Sequence, residues 1–379
     1  MSLSLRTKWK SRAATGIAMV VLVLSFAAPA VYQQAAVGTG QQQSHAATQQ
    51  SQPPTGNTIR TQAIEVLAPV VATDKKGNLI LDLTEDDFRI FDNGVKEPIE
   101  FFGIGSERLS IVLVLERSSR VAPLLPDVRK SGIVFAQPVK GQTGEAAIVE
   151  YDDTTRTAVD FTADSEAIEK AIEDLPVGDT GANLYDAMRA GIALLQTRPA
   201  GQRRVLLVMG ESLDTGSESA LGEVLRQAEI SNVTIYSVGL STTAAAWRTP
   251  SPKASGPKDL PPLATGNTRE EDADRQMQNG ADLTGLAAWL VQTGKTAMGP
   301  NALVVACKAT GGLHVPSKDG ASMQEALDSI GGELHAQYTV GYRPSMQKAV
   351  GYYPIKVTID RPGVKVRTRP GYYINSPSN

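Results

Sequence analysis

The sequence predicts an open α/β sheet, doubly wound and mostly parallel, with helices on both faces and a small β module built from the two flanks. Two observations predict it. From residue 109 to residue 334, short apolar runs rich in β-branched residues alternate with helix-spaced stripes, as parallel strands covered on both sides do. On either side of that stretch the apolar period is two, punctuated by turn signals. A chain of 379 residues that is 41% hydrophobic has enough apolar surface for such a domain and a satellite, and wholesale disorder is excluded.

The N-terminus reads as an address. Arg6, Lys8, Lys10 and Arg12 form a basic n-region, Ala13 to Phe26 is an uncharged run around Met19-Val20-Val21-Leu22-Val23-Leu24, and Ala28-Pro29-Ala30 fits small-x-small cleavage. Residues 1–30 are thus expected to be a signal peptide, the alternative being an uncut anchor, although the run is short against the roughly 20 residues of a bilayer span. Either way the body is expected to be extracytoplasmic, periplasmic or secreted, touching a membrane only through an uncleaved signal. No cysteine flanks the apolar run, which excludes lipid attachment there. Residues 31–60 hold eight glutamines between Gln33 and Gln52, then Pro53-Pro54-Thr55-Gly56. That stretch buries too little to offset its ordering entropy, and is expected to be a disordered spacer.

The block 61–107 is expected to be β. Ile64 to Leu67 and Val70 to Thr73 read as strands, Asp74-Lys75-Lys76-Gly77-Asn78 as a turn, and Phe88 to Phe91 as a strand ending at the hairpin signal Asp92-Asn93-Gly94. So small a block has a marginal core of its own. The block 335–379 alternates at Tyr338, Val340 and Tyr342 and continues with Ile355 to Ile359 and Val364 to Arg367. Packing the two blocks together gives both a core.

In the block 108–334 the strands are Ile111 to Leu115, Ala147 to Val149, Val205 to Met209 and Val233 to Tyr236. Helical stripes fall at Leu125, Val128, Gly132 and Phe135; at Ile168, Ile172 and Leu175; and at Leu184, Ala187, Met188 and Leu195. Two more run through Leu221, Val224, Leu225 and Ala228 and through Met323, Leu327, Ile330 and Leu334. Residues 241–300, rich in Pro, Gly and Thr, interrupt the alternation for longer than a compact domain needs. They read as a surface insertion with a short helix through Leu283, Leu286, Ala287 and Leu290, or as a partner-binding element carrying Trp247 and Trp289.

Composition excludes several functions. Formal net charge is −3, falling to about −7 without the four basic residues of the leader, and no basic run marks the body, so no nucleic-acid partner is expected. The single cysteine, Cys307, excludes an internal disulfide framework and a Cys-based zinc site. His45, His314 and His335 are too scattered for a His-rich metal centre. Gly178-Asp179-Thr180-Gly181 lacks the lysine of a phosphate loop. Gly210-Glu211-Ser212 has the strand–turn–helix setting of a nucleophile elbow, but Asp214 stands where the second glycine belongs. A hydrolase built on Ser212 would need His314 or His335 as its base.

Ligands of an open α/β sheet sit beyond the carboxyl ends of its strands. There the sequence has Glu116-Arg117-Ser118-Ser119-Arg120 after Leu115, Gly210-Glu211-Ser212-Leu213-Asp214 after Met209, and Thr180-Gly181-Ala182-Asn183-Leu184-Tyr185-Asp186-Ala187 opening a helix. With Ile235 to Gly239, Ala309-Thr310-Gly311-Gly312, Phe88 to Gly94, Tyr338 to Pro344 and Arg369 to Tyr373, the chain resembles the von Willebrand factor type A family, in its divergent exported bacterial form, from about residue 62 to residue 373. The resemblance implies a von Willebrand A-like fold, a binding rather than catalytic role, and a metal-ion-dependent adhesion site at these loops. That site departs from the family pattern: Glu116 and Glu211 replace aspartates, Arg120 replaces a serine, Ala182 replaces the threonine, and Ser118 alone is retained.

Arg120 brings a fixed cation to the metal's position, so an ion-paired cluster with no cofactor is expected. The alternative is a weakly held divalent cation, Mg²⁺ or Ca²⁺, on Glu116, Ser118 and Glu211. The expected binding face comprises Glu116, Ser118, Arg120, Thr180, Asn183, Glu211 and Asp214, offered to a protein or cell-envelope partner, with oligomeric state open. Two other readings stand beside it: a hydrolase using Ser212, and an envelope scaffold in which the face is vestigial.

Overall fold

The computed structural model describes residues 65–105, 108–131, 144–199, 201–241, 285, 287–288, 290–291, 301–346 and 348–375. The leader, the Gln-rich stretch, Gly132, Phe135, Trp247, Leu283 and Trp289 lie outside the described residues, as does most of the insertion.

A six-stranded sheet carries the α/β part. Its strands are β5 (Leu109–Glu116), β6 (Glu145–Tyr151), β7 (Thr155–Thr162), β8 (Arg203–Gly210), β9 (Val233–Leu240) and β10 (His314–Ser317). Their order is β10-β9-β8-β5-β6-β7, parallel except for β7, which pairs antiparallel with β6. Counted along the chain, that is the doubly wound order in which the winding reverses beside the first strand. The apolar runs alternate between two cores. On one face Val112, Val114, Leu206, Val208 and Ile235 meet α3 (Leu184–Gln196), α4 (Leu221–Ile230) and α5 (Ala302–Thr310). On the other, Ile111, Leu113, Leu115, Val205, Leu207 and Met209 meet α1 (Leu125–Lys130), α2 (Ser165–Glu173) and α6 (Gly320–Ala336). Ala287, Leu290 and Val291 are helical and join the first core, so this part of the insertion packs on the domain.

The flanks interleave. β1 (Val66–Thr73) lies between β11 (Tyr338–Tyr342) and β13 (Lys365–Thr368), with β4 (Phe101–Ile104) on the far side of β11. β12 (Gly351–Ile359) lies between β2 (Phe88–Asp92), itself paired with β3 (Val95–Glu97), and β14 (Gly371–Ile374). Both four-stranded sheets contain strands from both flanks, and they close over one core of Val66, Ala68, Val70, Phe88, Ile90, Tyr338, Val340, Tyr342 and Ile355. The expected pair of strands before residue 74 is one strand, β1, which runs through Pro69. Asn93 (φ 49°) and Gly94 (φ 83°) make the β2–β3 turn, where two left-handed residues match the strand twist.

Candidate functional site

The reversal of winding places a crevice outside the carboxyl ends of β5 and β8. Glu116 ends β5, and Glu211 follows the last residue of β8. Leu115 lies opposite Met209 in the parallel register, so the two glutamates leave neighbouring strands at one level. Gly210 keeps the gap between them open. A Cβ there would stand 2.1 Å from the Tyr151 hydroxyl and 2.9 Å from Glu116 Oε2.

Glu116 is buried and fully engaged. Its Oε1 accepts from the Ser118 hydroxyl at 2.5 Å and from Arg120 Nη2 at 3.3 Å. Its Oε2 accepts from the Glu211 N–H at 2.6 Å and the Tyr151 hydroxyl at 3.4 Å. Arg120 Nε lies 3.4 Å from Glu211 Oε2, so one guanidinium joins both carboxylates. Burial is the largest influence on Glu116 and raises its carboxyl above the usual range, against the pull of Ser118, the Glu211 amide and Arg120. Burial, then the Glu116 charge, pushes the Tyr151 phenol well up, which keeps Tyr151 a neutral donor.

The remaining sequence-named residues lie in the loops around this cluster. Ala182 is fully buried; its N–H donates to Thr215 Oγ1 at 2.8 Å and its carbonyl accepts from the Thr215 N–H at 2.9 Å. Asp214 Oδ1 accepts from the Tyr185 N–H at 3.2 Å and the Ser217 hydroxyl at 2.6 Å, which ties its loop to the first turn of α3. The Asn183 amide donates to the Asp153 carbonyl at 2.6 Å, and Thr180 is exposed. The structure therefore brings Glu116, Ser118, Arg120 and Glu211 together, while Asn183 and Asp214 have other partners.

Sequence reasoning missed a second group on the same edge. Arg117 Nη2 lies 2.6 Å from Asp152 Oδ2, and Arg156 Nη2 lies 2.6 Å from Glu150. The carboxylates of Asp152, Asp153 and Asp179 lie within 4.8 Å of one another. Burial works to raise the Asp152 carboxyl, but its bonds from Thr154 and the Asp179 N–H, with Arg117, hold it below the usual range. Loss of water, then the neighbouring Asp152 and Asp179, raise Asp153. The signal was available: Asp152-Asp153 ends the Ala147 to Val149 strand, as Glu116 ends its own.

The hydrolase constellation does not assemble around Ser212. Its hydroxyl donates to Asn301 Oδ1 at 2.5 Å. His314 Nδ1 lies 2.8 Å from Ser237 Oγ, and burial lowers its imidazole to about 4. His335 Nδ1 bonds the Gly331 carbonyl at 2.7 Å. Ser237 Oγ also lies 3.1 Å from Cys307 Sγ, but Ser237 is wholly buried and Cys307 nearly so, and burial pushes that thiol up to about 12.

Strand order, two-sided helix cover and a crevice beside the first strand define the class as a doubly wound α/β domain with a β sandwich made from its own flanks. No family model matches the chain, and no curated protein does. Among solved structures it is similar to the conserved hypothetical protein BatB from Bacteroides thetaiotaomicron, at 14% identity over 60% of this chain and 98% of that one, with a TM-score of 0.37. It is also similar to the vWF domain of the type V pili tip protein Mfa5 from Porphyromonas gingivalis, at 16% identity over 30% and 41% of the chains, with a TM-score of 0.27. Proximal thread matrix protein 1 from the mussel byssus, with a zinc-occupied MIDAS motif, aligns at 10% identity over 65% of this chain and 50% of that one, with a TM-score of 0.41. At these identities and TM-scores the likenesses carry no argument about what this chain does.

Proposed function

We propose that this is an exported, non-catalytic binding protein whose face at the carboxyl ends of β5, β6 and β8 engages a protein or cell-envelope partner. The observation that carries the reading is the Arg120 guanidinium, seated 3.3 Å from Glu116 and 3.4 Å from Glu211. A hard divalent cation takes about six oxygens in near-octahedral geometry. Here each Glu116 oxygen already accepts from two donors, the Ser118 hydroxyl is spent on Glu116, and Ala182 offers a methyl. The residues do not fit the metal of an adhesion site, and the ion pair is read as its replacement.

The surrounding face is acidic. Glu116, Glu150, Asp152, Asp153, Asp179 and Glu211 stand against Arg117, Arg120 and Arg156, with Asp153 and Asp179 exposed. A partner presenting a basic patch matches it. Export rests on the leader sequence, and the absence of catalysis on the separation of Ser212 from both histidines.

The test is crosslinking capture from the native envelope with three forms of the full chain. Asp153→Lys with Asp179→Lys is expected to abolish the wild-type partner band, and deletion of 242–284 to leave it. Capture that survives the double reversal and fails with the deletion would move the interface to the insertion. Ester hydrolysis that disappears in Ser212→Ala would overturn the non-catalytic reading.

A further inference from the structure

At the other end of the sheet, around the amino ends of β8 and β9, lies a cleft of about 150 Å³ between the α/β part and the β sandwich. Its apolar wall is formed by Leu67 and Pro69 of β1 and Phe101 of β4. Leu67 and Pro69 share one face of their strand, opposite to Ala68 and Val70, which enter the sandwich core. The facing wall is cationic: Arg203, Arg204 and Arg369 line the cleft, and Glu65, exposed, is the one carboxylate among the lining residues. A space of about this volume accepts a benzene ring.

Two of these guanidiniums have unspent donors. Arg204 gives Nη1 to the Ser231 carbonyl at 2.9 Å and Nη2 to the Arg198 carbonyl, which are neutral acceptors. Its buried Nε has no acceptor among the described residues. Arg369 is only 4% exposed, and its Nε also lacks an acceptor among them. Its carboxylate neighbour is Glu229, whose Oε2 lies 3.7 Å from Nη1, beyond hydrogen-bond reach. Burial raises the Glu229 carboxyl to about 8 against the pull of Arg369, which weakens this pair near neutral pH. A guanidinium carries more N–H donors than these contacts use, and its terminal nitrogens remain for an anion in the cleft.

We propose that this cleft binds a small organic carboxylate bearing a ring-sized apolar group, the carboxylate on Arg204 and Arg369 and the apolar group against Leu67, Pro69 and Phe101. The site is independent of the strand-end face, from which it is separated by the length of the sheet.

Titration calorimetry on the full chain near neutral pH tests it with four probes: benzoate, benzamide, acetate and inorganic phosphate. Benzoate is expected to bind saturably. Benzamide, which keeps the ring without the charge, and acetate, which keeps the charge without the ring, are each expected to bind about tenfold more weakly or worse. Arg204→Gln is expected to abolish benzoate binding. Leu67→Trp, which fills the cleft from the cleft-facing, half-buried side of β1 and leaves both arginines intact, is expected to do the same with a melting temperature close to wild type, and it carries the test if Arg204→Gln does not fold. Equal binding of benzamide and benzoate would overturn the role of the arginines. Phosphate binding as tightly as benzoate would overturn the role of the apolar wall. Saturation by none of the probes, or benzoate binding that survives Leu67→Trp, would overturn the site itself.

Discussion

Arg120→Ser removes the guanidinium that joins Glu116 and Glu211. The glutamates are 1% and 5% exposed with the guanidinium in place, so its loss leaves two buried carboxylates without their shared partner, and breaking a buried pair in this way costs about 3–5 kcal/mol. The lower end applies, because Glu116 keeps the Ser118 hydroxyl, the Glu211 N–H and the Tyr151 hydroxyl. A loss of about 3 kcal/mol lowers Tm by roughly 6–12 °C in a domain of this size. The deficit narrows in acid. The Glu116 carboxyl is already raised by burial, and the variant raises it further, so the native state binds more protons than the unfolded one and regains stability as pH falls. The variant also frees oxygens and adds a hydroxyl at position 120. Mg²⁺ at about ten times its dissociation constant then restores about 1.4 kcal/mol, or roughly 3–6 °C. Scanning calorimetry at pH 7.5 and pH 5, with Mg²⁺ or with EDTA, measures all three effects. A variant that melts within about 2 °C of wild type at pH 7.5, well short of the shift worked out above, would refute the buried ion pair. A Tm rise with Mg²⁺ in the wild type would refute the substitution of guanidinium for metal.

Glu229→Gln tests the junction between α4 and the β sandwich. The native carboxyl titrates at about 8 rather than 4.5, so wild-type stability falls as pH rises from 4.5 to 8, by about 1.4 kcal/mol per pH unit and at most roughly 5 in all. Gln removes that slope: the two proteins match near pH 4.5 and the variant is the more stable above pH 8. Urea melts across that range check it, and a difference that does not change with pH would count against it. Gly210→Ala would place a Cβ 2.1 Å from the Tyr151 hydroxyl, and an overpacking cost of about 1–3 kcal/mol is expected, read as a lower midpoint in the same melts.

Much of the fold was legible because strands buried on both faces and two-sided helix stripes leave strong periodic signals. Ile111 to Leu115 lies inside β5 and Val205 to Met209 inside β8, and the flanking blocks share both sheets of one sandwich. Strand β7 was not legible: Thr155-Arg156-Thr157-Ala158 is polar and only partly buried, as an antiparallel edge strand is, so its alternation carries little contrast. Glu116 and Glu211 were placed at the sheet edge by rule, since each comes directly after an apolar run. Asp152 and Asp153 meet the same rule and were passed over, while their meeting with Arg117 and Asp179 depends on β6 lying beside β5, which no local pattern states.

The sequence alone determined the alternation, and with it the fold class, the acidic character and the placing of Glu116, Arg120, Ala182 and Glu211 in the loops of one sheet edge. Those are properties of single positions and short periods. Tertiary structure decided what these residues touch. Whether Arg120 faces solvent or bridges two glutamates depends on strands more than 90 residues apart meeting in register, Leu115 against Met209. It also decided that Asp214 accepts from the first turn of α3, and that Arg204 and Arg369 line one cleft. Long-range register and burial set these outcomes, because they determine which charged groups lose water and so must find each other.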